Sequence, residues 1–329
     1  MEDTIVYTPN EIATMTIQYL QERVNNKAYA VDLGHKELDE IINPAHPGDL
    51  ISILGRPGSG KTSFMIRWAR YRAEQLAGRD DPDRTVVYIT LEQSVEDLYA
   101  FVLSAETRIS ITDMAKGNIT EEQMQNVLGV TVKLLSYPLC FLGHSATNRR
   151  ARPNLYIDTI RKNLHTLEDR GTLNNGKPFK LDMIFMDYLQ RAPYQGENKA
   201  IGLYDVMNGC KDLALEFACP FVLGVQARRE VEARQSPSLP IPGLADAQWT
   251  SGVEQISDVV ISTVRPSKYR KPGQEFGTVT VEGHAQMLVT LLKQKLGLDN
   301  KAVWVYFDPA LNHLDRLEMQ YYQEALDYD

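Results

Sequence analysis

The 329-residue sequence is poor in cysteine, tryptophan and histidine, with three, three and six of them. Cys140, Cys210 and Cys219 form no closely spaced ligand set, which excludes a zinc ribbon or a disulfide framework. Buried thiols in a reducing cytosol are the default reading. No apolar run approaches the roughly 18 to 20 residues that a membrane helix needs. The opening Met1-Glu2-Asp3-Thr4 lacks the basic and apolar regions of a secretory signal. A cytoplasmic protein with no membrane partner is therefore expected. An excess of positive charge is missing too, since 35 Lys and Arg face 43 Asp and Glu, a net charge of -8. That argues against coating nucleic acid with the whole surface, but a local basic groove stays open. There is no internal repeat.

What is present suits a substantial core: 43% hydrophobic and 24% charged residues, in a length that fits one large domain with appendages or two modest ones. Residues 11–24 place Ile12, Met15, Ile17, Leu20 and Val24 at roughly helical spacing. This N-terminal helix either docks on its own domain or reaches a neighbouring subunit. A connector to Ala30 follows. The divisions expected are a linker helix and connector over 1–30, an α/β core over 31–312 and an acidic tail over 313–329.

The core has a parallel-sheet rhythm. Apolar, β-branched runs at 50–54, 86–91, 181–186, 221–225, 259–264 and 287–292 alternate with helical stretches, which implies a mostly parallel central sheet covered by helices on both faces. In such sheets the polar residues just past the strand ends collect at one edge, where ligands bind. Those residues are Glu92, Asp187 and Gln226. Two long stretches interrupt the rhythm, Gly143 to Arg152 and Ser236 to Gly252, and loops of that length usually have a function or are disordered.

The strongest motif is Gly55-Arg56-Pro57-Gly58-Ser59-Gly60-Lys61-Thr62, followed by Ser63, between a predicted strand and a predicted helix. Glycines let backbone N–H groups wrap phosphates, Lys61 supplies positive charge, and Thr62 can ligate Mg2+. Asp187 is the expected acid of the Mg2+ shell, or else caps a turn. Glu92 polarises a water as general base, or else caps the helix through Leu98. An amide at Gln226 can sense a terminal phosphate and pass its state to the adjoining loop.

Taken with Thr90-Leu91-Glu92, Asp187-Tyr188-Leu189-Gln190, Gln226-Ala227-Arg228-Arg229, Val253 to Val260 and Lys293-Gln294-Lys295-Leu296-Gly297, the sequence resembles a replicative DNA helicase of the DnaB type, within the RecA-like ATPases, from about Val31 to Asp308. The resemblance implies ATP and Mg2+ as cofactors and hexameric rings with nucleotide between subunits. It also implies 5′–3′ movement on single-stranded DNA and a linker helix docked on the next subunit. By the same resemblance Lys61, Thr62 and Asp187 hold nucleotide and metal, Glu92 is the base, Gln226 the sensor, and Lys293 and Lys295 reach the neighbour's phosphates.

Three departures stand out. Lys295 replaces the usual arginine finger and lacks its bidentate fork. Gln248 and Trp249 stand where the family's pore loop carries Arg-Glu, so an indole there either stacks on a base or buries against a neighbour. Only about 30 residues precede the core, so no counterpart of the family's N-terminal domain is expected. Arg228, Arg229, Arg234, Gln248 and Trp249 are the candidate DNA contacts. Other basic clusters, at Arg149 to Lys162 and at Arg265 to Lys271, fit solvated surface as well. The leading expectation is an ATP-driven ring motor on single-stranded DNA. The alternative is a non-unwinding oligomeric scaffold, helicase loader or regulator that works with replication proteins.

Overall fold

The computed structural model describes residues 8–25, 31–79, 84–147, 153–170, 180–234, 239–277 and 279–316. Arg149, Arg150 and Arg152, the tail from 317 and most of the connector before Val31 lie outside the described residues.

Nine helices and eleven strands occur among the described residues. The helices are α1 (Pro9–Asn25), α2 (Lys36–Asp39), α3 (Lys61–Ala77), α4 (Val95–Thr107), α5 (Ile111–Lys116), α6 (Glu121–Leu134), α7 (Ile157–Arg170), α8 (Lys199–Glu216) and α9 (Gly252–Ile256). The strands are β1 (Leu50–Gly55), β2 (Arg84–Thr90), β3 (Leu139–Leu142), β4 (Lys180–Asp187), β5 (Phe221–Gln226), β6 (Val259–Val264), β7 (Glu275–Phe276), β8 (Val279–Thr280), β9 (Gln286–Gln294), β10 (Lys301–Asp308) and β11 (His313–Arg316).

Nine strands form one sheet in the order β11-β10-β9-β6-β1-β5-β4-β2-β3. The six from β6 to β3 run parallel, while β9, β10 and β11 each pair antiparallel. This is the mostly parallel α/β core that the strand rhythm predicts. Successive β1 residues point to opposite faces, so Ile51 and Ile53 enter one buried cluster and Leu50 and Leu54 the other. Strands buried on both faces read as unbroken apolar runs, which makes them visible in the sequence.

The C-terminal edge belongs to the parallel strands. Gly55 is level with Gln226 and Thr90 with Asp187, so the loops after β1, β5, β4 and β2 emerge side by side. β11 pairs with β10, so His313–Arg316 belongs to the sheet and not to the tail expected from 313. A bidentate ion pair locks α3 onto the sheet: Arg72 Nε donates to Asp182 Oδ2 at 2.6 Å and Nη2 to Oδ1 at 2.9 Å, with both side chains buried. On α1, Ile12, Met15, Ile17, Leu20 and Val24 all remain exposed. A second exposed apolar stripe runs along α6 through Met124, Leu128 and Val132, ending at Leu135.

Candidate nucleotide site

The loop after β1 turns into α3 through two left-handed glycines, Gly58 at φ 72° and Gly60 at φ 92°. Gly60 is the α3 N-cap, and a Cβ there would come within 2.3 Å of Met287 Cε. The backbone angle is what demands glycine, since the Met287 methyl is the movable end of a flexible side chain. The first N–H groups of the 17-residue α3 lack helical acceptors and form a ready anion cradle.

Lys61, Thr62, Ser63, Pro57, Gly58 and Gly60 line a cavity of about 420 Å3 with Glu92, Gln226 and Tyr188. Lys61 is buried, and its ammonium lies 5.2 Å from the Tyr188 ring centroid. Burial pulls the Lys61 pKa below the usual lysine range, with Asp187 and Glu92 opposing. A polyanion relieves that desolvation, so the site is poised for one.

Asp187 sits beneath the loop at the end of β4. Thr62 Oγ1 donates to its Oδ2 at 2.6 Å, and Tyr88 OH approaches the same oxygen at 3.4 Å. The other oxygen, Oδ1, is buried without a hydrogen-bond partner. A hydroxyl and a carboxylate with an orphaned oxygen suit a hard divalent cation, so the residues fit Mg2+. The carboxylate of Asp187 thus faces Thr62 and Tyr88 rather than capping a turn. Gly224 of β5 makes room for it, since a Cβ there would lie 2.9 Å from Asp187 Oδ1. The Asp187–Tyr188 peptide is cis.

Glu92 is half-exposed, with Arg191 Nη2 3.5 Å from its Oε1. It does not cap α4: Ser94 does, accepting from Asp97 N–H. Gln226 reaches the same cavity, and its backbone N–H donates to Gln190 Oε1 at 2.9 Å. Gln190 Nε2 in turn donates to Gln226 O at 3.3 Å and to Gln248 O at 3.0 Å. In the sequence Gln190 is only the last residue of a motif, with no task of its own. Its structural position makes it the clamp between Gln226 and the segment that carries Gln248.

Other expected site residues are placed differently. The Arg56 side chain leaves the phosphate side: Nη1 donates to Ala227 O and Nε to Glu232 Oε1, both at 2.8 Å. A buried guanidinium needs such acceptors, and they lie under the segment after Gln226. Arg234 is held by Asp246 at 2.7 Å and by Ile241 O at 2.9 Å, and Arg228 donates to Ala245 O. These two arginines therefore brace the 239–246 segment, although Arg228, like Arg229, is exposed. Two members of the cluster after Val264 turn towards the glycine loop. Lys268 Nζ donates to Pro57 O at 2.9 Å, and the Arg265 guanidinium stands 5.9 Å from the Phe307 ring centroid in the nucleotide cavity. Arg265 directly follows a strand that ends at the ligand edge, and that signal could have found it.

Lys293 and Lys295 lie at the opposite edge. Gln294 pairs with Val259, at the start of β6, and Lys293 Nζ donates to Glu254 O and Ser257 O at 2.8 and 2.7 Å. Lys295 Nζ is 3.8 Å from Asp258. A six-residue strand such as β1 is ~17 Å long, so these ammonium groups are remote from their own chain's loop. Trp249 is exposed and has φ 68°, a left-handed value that costs a bulky residue about 1–3 kcal/mol.

Known proteins resemble this chain over most of its length. The replicative DNA helicase DnaB of Leifsonia xyli subsp. xyli is 26% identical over 281 residues, 84% of this chain and 56% of that protein. The replicative DNA helicase DnaC of Bacillus subtilis is 26% identical over 266 residues, 79% of this chain and 53% of that protein. The chain thus spans about half the length of the curated relatives it matches. Among solved structures, a DnaB-like replicative helicase studied for its interactions with primase superposes with a TM-score of 0.73 at 18% identity, covering 97% of this chain and 69% of that one. A separately solved ATPase domain gives 0.76 at 18% identity, covering 94% of this chain and 100% of that one. A profile described as the DnaB-like helicase C terminal domain takes in residues 30–315, and the chain belongs to that family.

Proposed function

We propose that this chain hydrolyses ATP with Mg2+ and, as a ring of identical copies, moves on single-stranded DNA. One observation carries the chemistry: Lys61, the Thr62–Asp187 hydrogen bond and the orphaned Asp187 Oδ1 meet at the mouth of a glycine loop, beside Glu92. Backbone N–H groups of the loop and Lys61 hold the phosphates. Arg265 and Phe307 offer the base a cation and an aromatic face. Mg2+ held by Thr62 and Asp187 supplies charge neutralisation at the phosphates. Glu92 orients and deprotonates the attacking water, a role that contributes typically 10²–10⁴-fold. The rest of the reading needs a second copy, and it draws support from Lys293 and Lys295, remote from their own loop, and from the apolar stripes that α1 and α6 leave exposed.

The test is ATP turnover with and without single-stranded DNA, followed by strand displacement. Glu92→Gln is expected to bind ATP and lose turnover; equal turnover removes Glu92 as base. Absent stimulation and absent DNA binding at low salt remove the motor. The second reading, an oligomeric scaffold, loader or regulator that does not unwind, draws support from Arg228 and Arg234, whose guanidinium groups are engaged within the chain.

A further inference from the structure

Trp249 is 54% exposed, whereas Trp68 and Trp304, the other two tryptophans, are 1% and 5% exposed. Its backbone occupies a left-handed conformation that favours glycine. The Lys199 ammonium lies 5.5 Å from the ring centroid. This ring walls a cavity of about 590 Å3, separate from the nucleotide site. That volume lies within the roughly 300–1,000 Å3 of small-ligand sites.

The remaining lining decides what fits. Leu244 and Ala247 continue the apolar wall, and two arginines, Arg228 and Arg229, are matched by Glu230 and Glu254. Within the lining a phosphate would meet as many carboxylates as guanidinium groups, so among these residues only the Lys199 ammonium beside the ring adds net positive charge. A flat ring with polar edges would stack on the indole and find donors and acceptors around it.

We propose that Trp249 is a stacking platform for an unpaired nucleobase, with the sugar-phosphate strand outside the cavity near Arg229. The proposal rests on the single-stranded-DNA reading above and adds base contact to it. Every base has a π face, so the platform tolerates any sequence. It is also tied to the nucleotide site, because Gln190 holds the Gln248 carbonyl and the Gln226 backbone together. A loop that grips a base moves the strand when Gln226 shifts.

The experiment follows tryptophan emission of the full chain with Mg2+ and a non-hydrolysable ATP analogue. The protein is titrated with oligothymidylate and, in parallel, with an abasic oligonucleotide of equal length. Trp68 and Trp304 are buried and give a steady background. Oligothymidylate is expected to quench the emission and to bind about 10- to 100-fold more tightly than the abasic strand, the range that stacking of one base supplies. Trp249→Ala should erase that preference, and Trp249→Phe should keep most of it. In both variants the salt dependence should stay as in the parent, since no phosphate contact is lost. Equal affinity of the unsubstituted protein for both strands, with unchanged emission, overturns the platform and leaves the DNA reading standing. Failure of both strands to bind at low salt overturns both.

Discussion

Gln190 is where the structure makes its most quantitative demand. Its side-chain amide accepts from Gln226 N–H at 2.9 Å and donates to Gln248 O at 3.0 Å, with a longer bond to Gln226 O at 3.3 Å. Gln226 O keeps another donor, Gln248 N–H at 2.9 Å, so Gln190→Ala strands mainly one N–H and one carbonyl. Two lost bonds at about 1 kcal/mol each, plus a partly desolvated N–H, come to about 2–3 kcal/mol. In a protein of 329 residues, whose unfolding entropy is about 0.7 kcal/mol/K, that lowers Tm by about 3–4 °C. Gln190→Glu is the sharper probe. It keeps the acceptor but turns an oxygen towards the two carbonyls. The introduced carboxyl then has its folded pKa raised above the unfolded one, near 4.3. Its contribution is fully present below that unfolded value and is lost as pH rises through the folded value. The gap in Tm to the parent protein should therefore widen between pH 5 and pH 8. Thermal unfolding at both values measures it, and turnover with and without single-stranded DNA shows whether stimulation falls further than basal rate. A Gln190→Ala variant that unfolds within about 1 °C of the parent refutes the clamp.

Other consequences are equally open to measurement. Asp187→Asn should bind nucleotide in EDTA as the parent does and lose the tightening that Mg2+ brings; calorimetry that finds the tightening intact removes Asp187 from the metal site. Burial lowers the Lys61 pKa in the free protein, so between its folded and unfolded values the unfolded chain binds more protons and stability rises with pH. Triphosphate restores the charge, hence binding should take up a proton on the alkaline side and weaken as pH climbs through the free-protein value. Binding heats that are identical in two buffers of different ionisation enthalpy at every pH up to the ordinary lysine range contradict this. Arg229→Ala should reduce the salt slope of DNA binding by about one, whereas Arg234→Ala should leave that slope alone and lower thermal stability by breaking the Asp246 pair. Equal slopes for both variants undo the distinction between them.

The apolar runs of β1, β2, β4, β5 and β6 are legible because strands buried on both faces need unbroken hydrophobic sequence. Glu92, Asp187 and Gln226 are legible for a related reason, as polar groups stop such runs where the sheet meets ligand. Short edge strands such as β3 and β11 bury little and carry no such signature, so neither stands out in the sequence. An arginine in a sequence has no direction either. Arg56, Arg228 and Arg234 look like phosphate ligands until carbonyls and carboxylates far along the chain claim them. Arg265 and Phe307, over forty residues apart, meet only because β6 and β10 lie in one sheet.

By itself, then, the sequence determined the α/β layering, the phosphate loop and the ligand edge, since each follows from local periodicity and from backbone demands that glycine alone meets. Tertiary structure decided which cations brace the molecule, how Gln190 joins Gln226 to Gln248, and that Lys293 and Lys295 turn away from their own nucleotide site. Those outcomes depend on strand order and on which buried polar group finds a partner, and neither is written in any short stretch of chain.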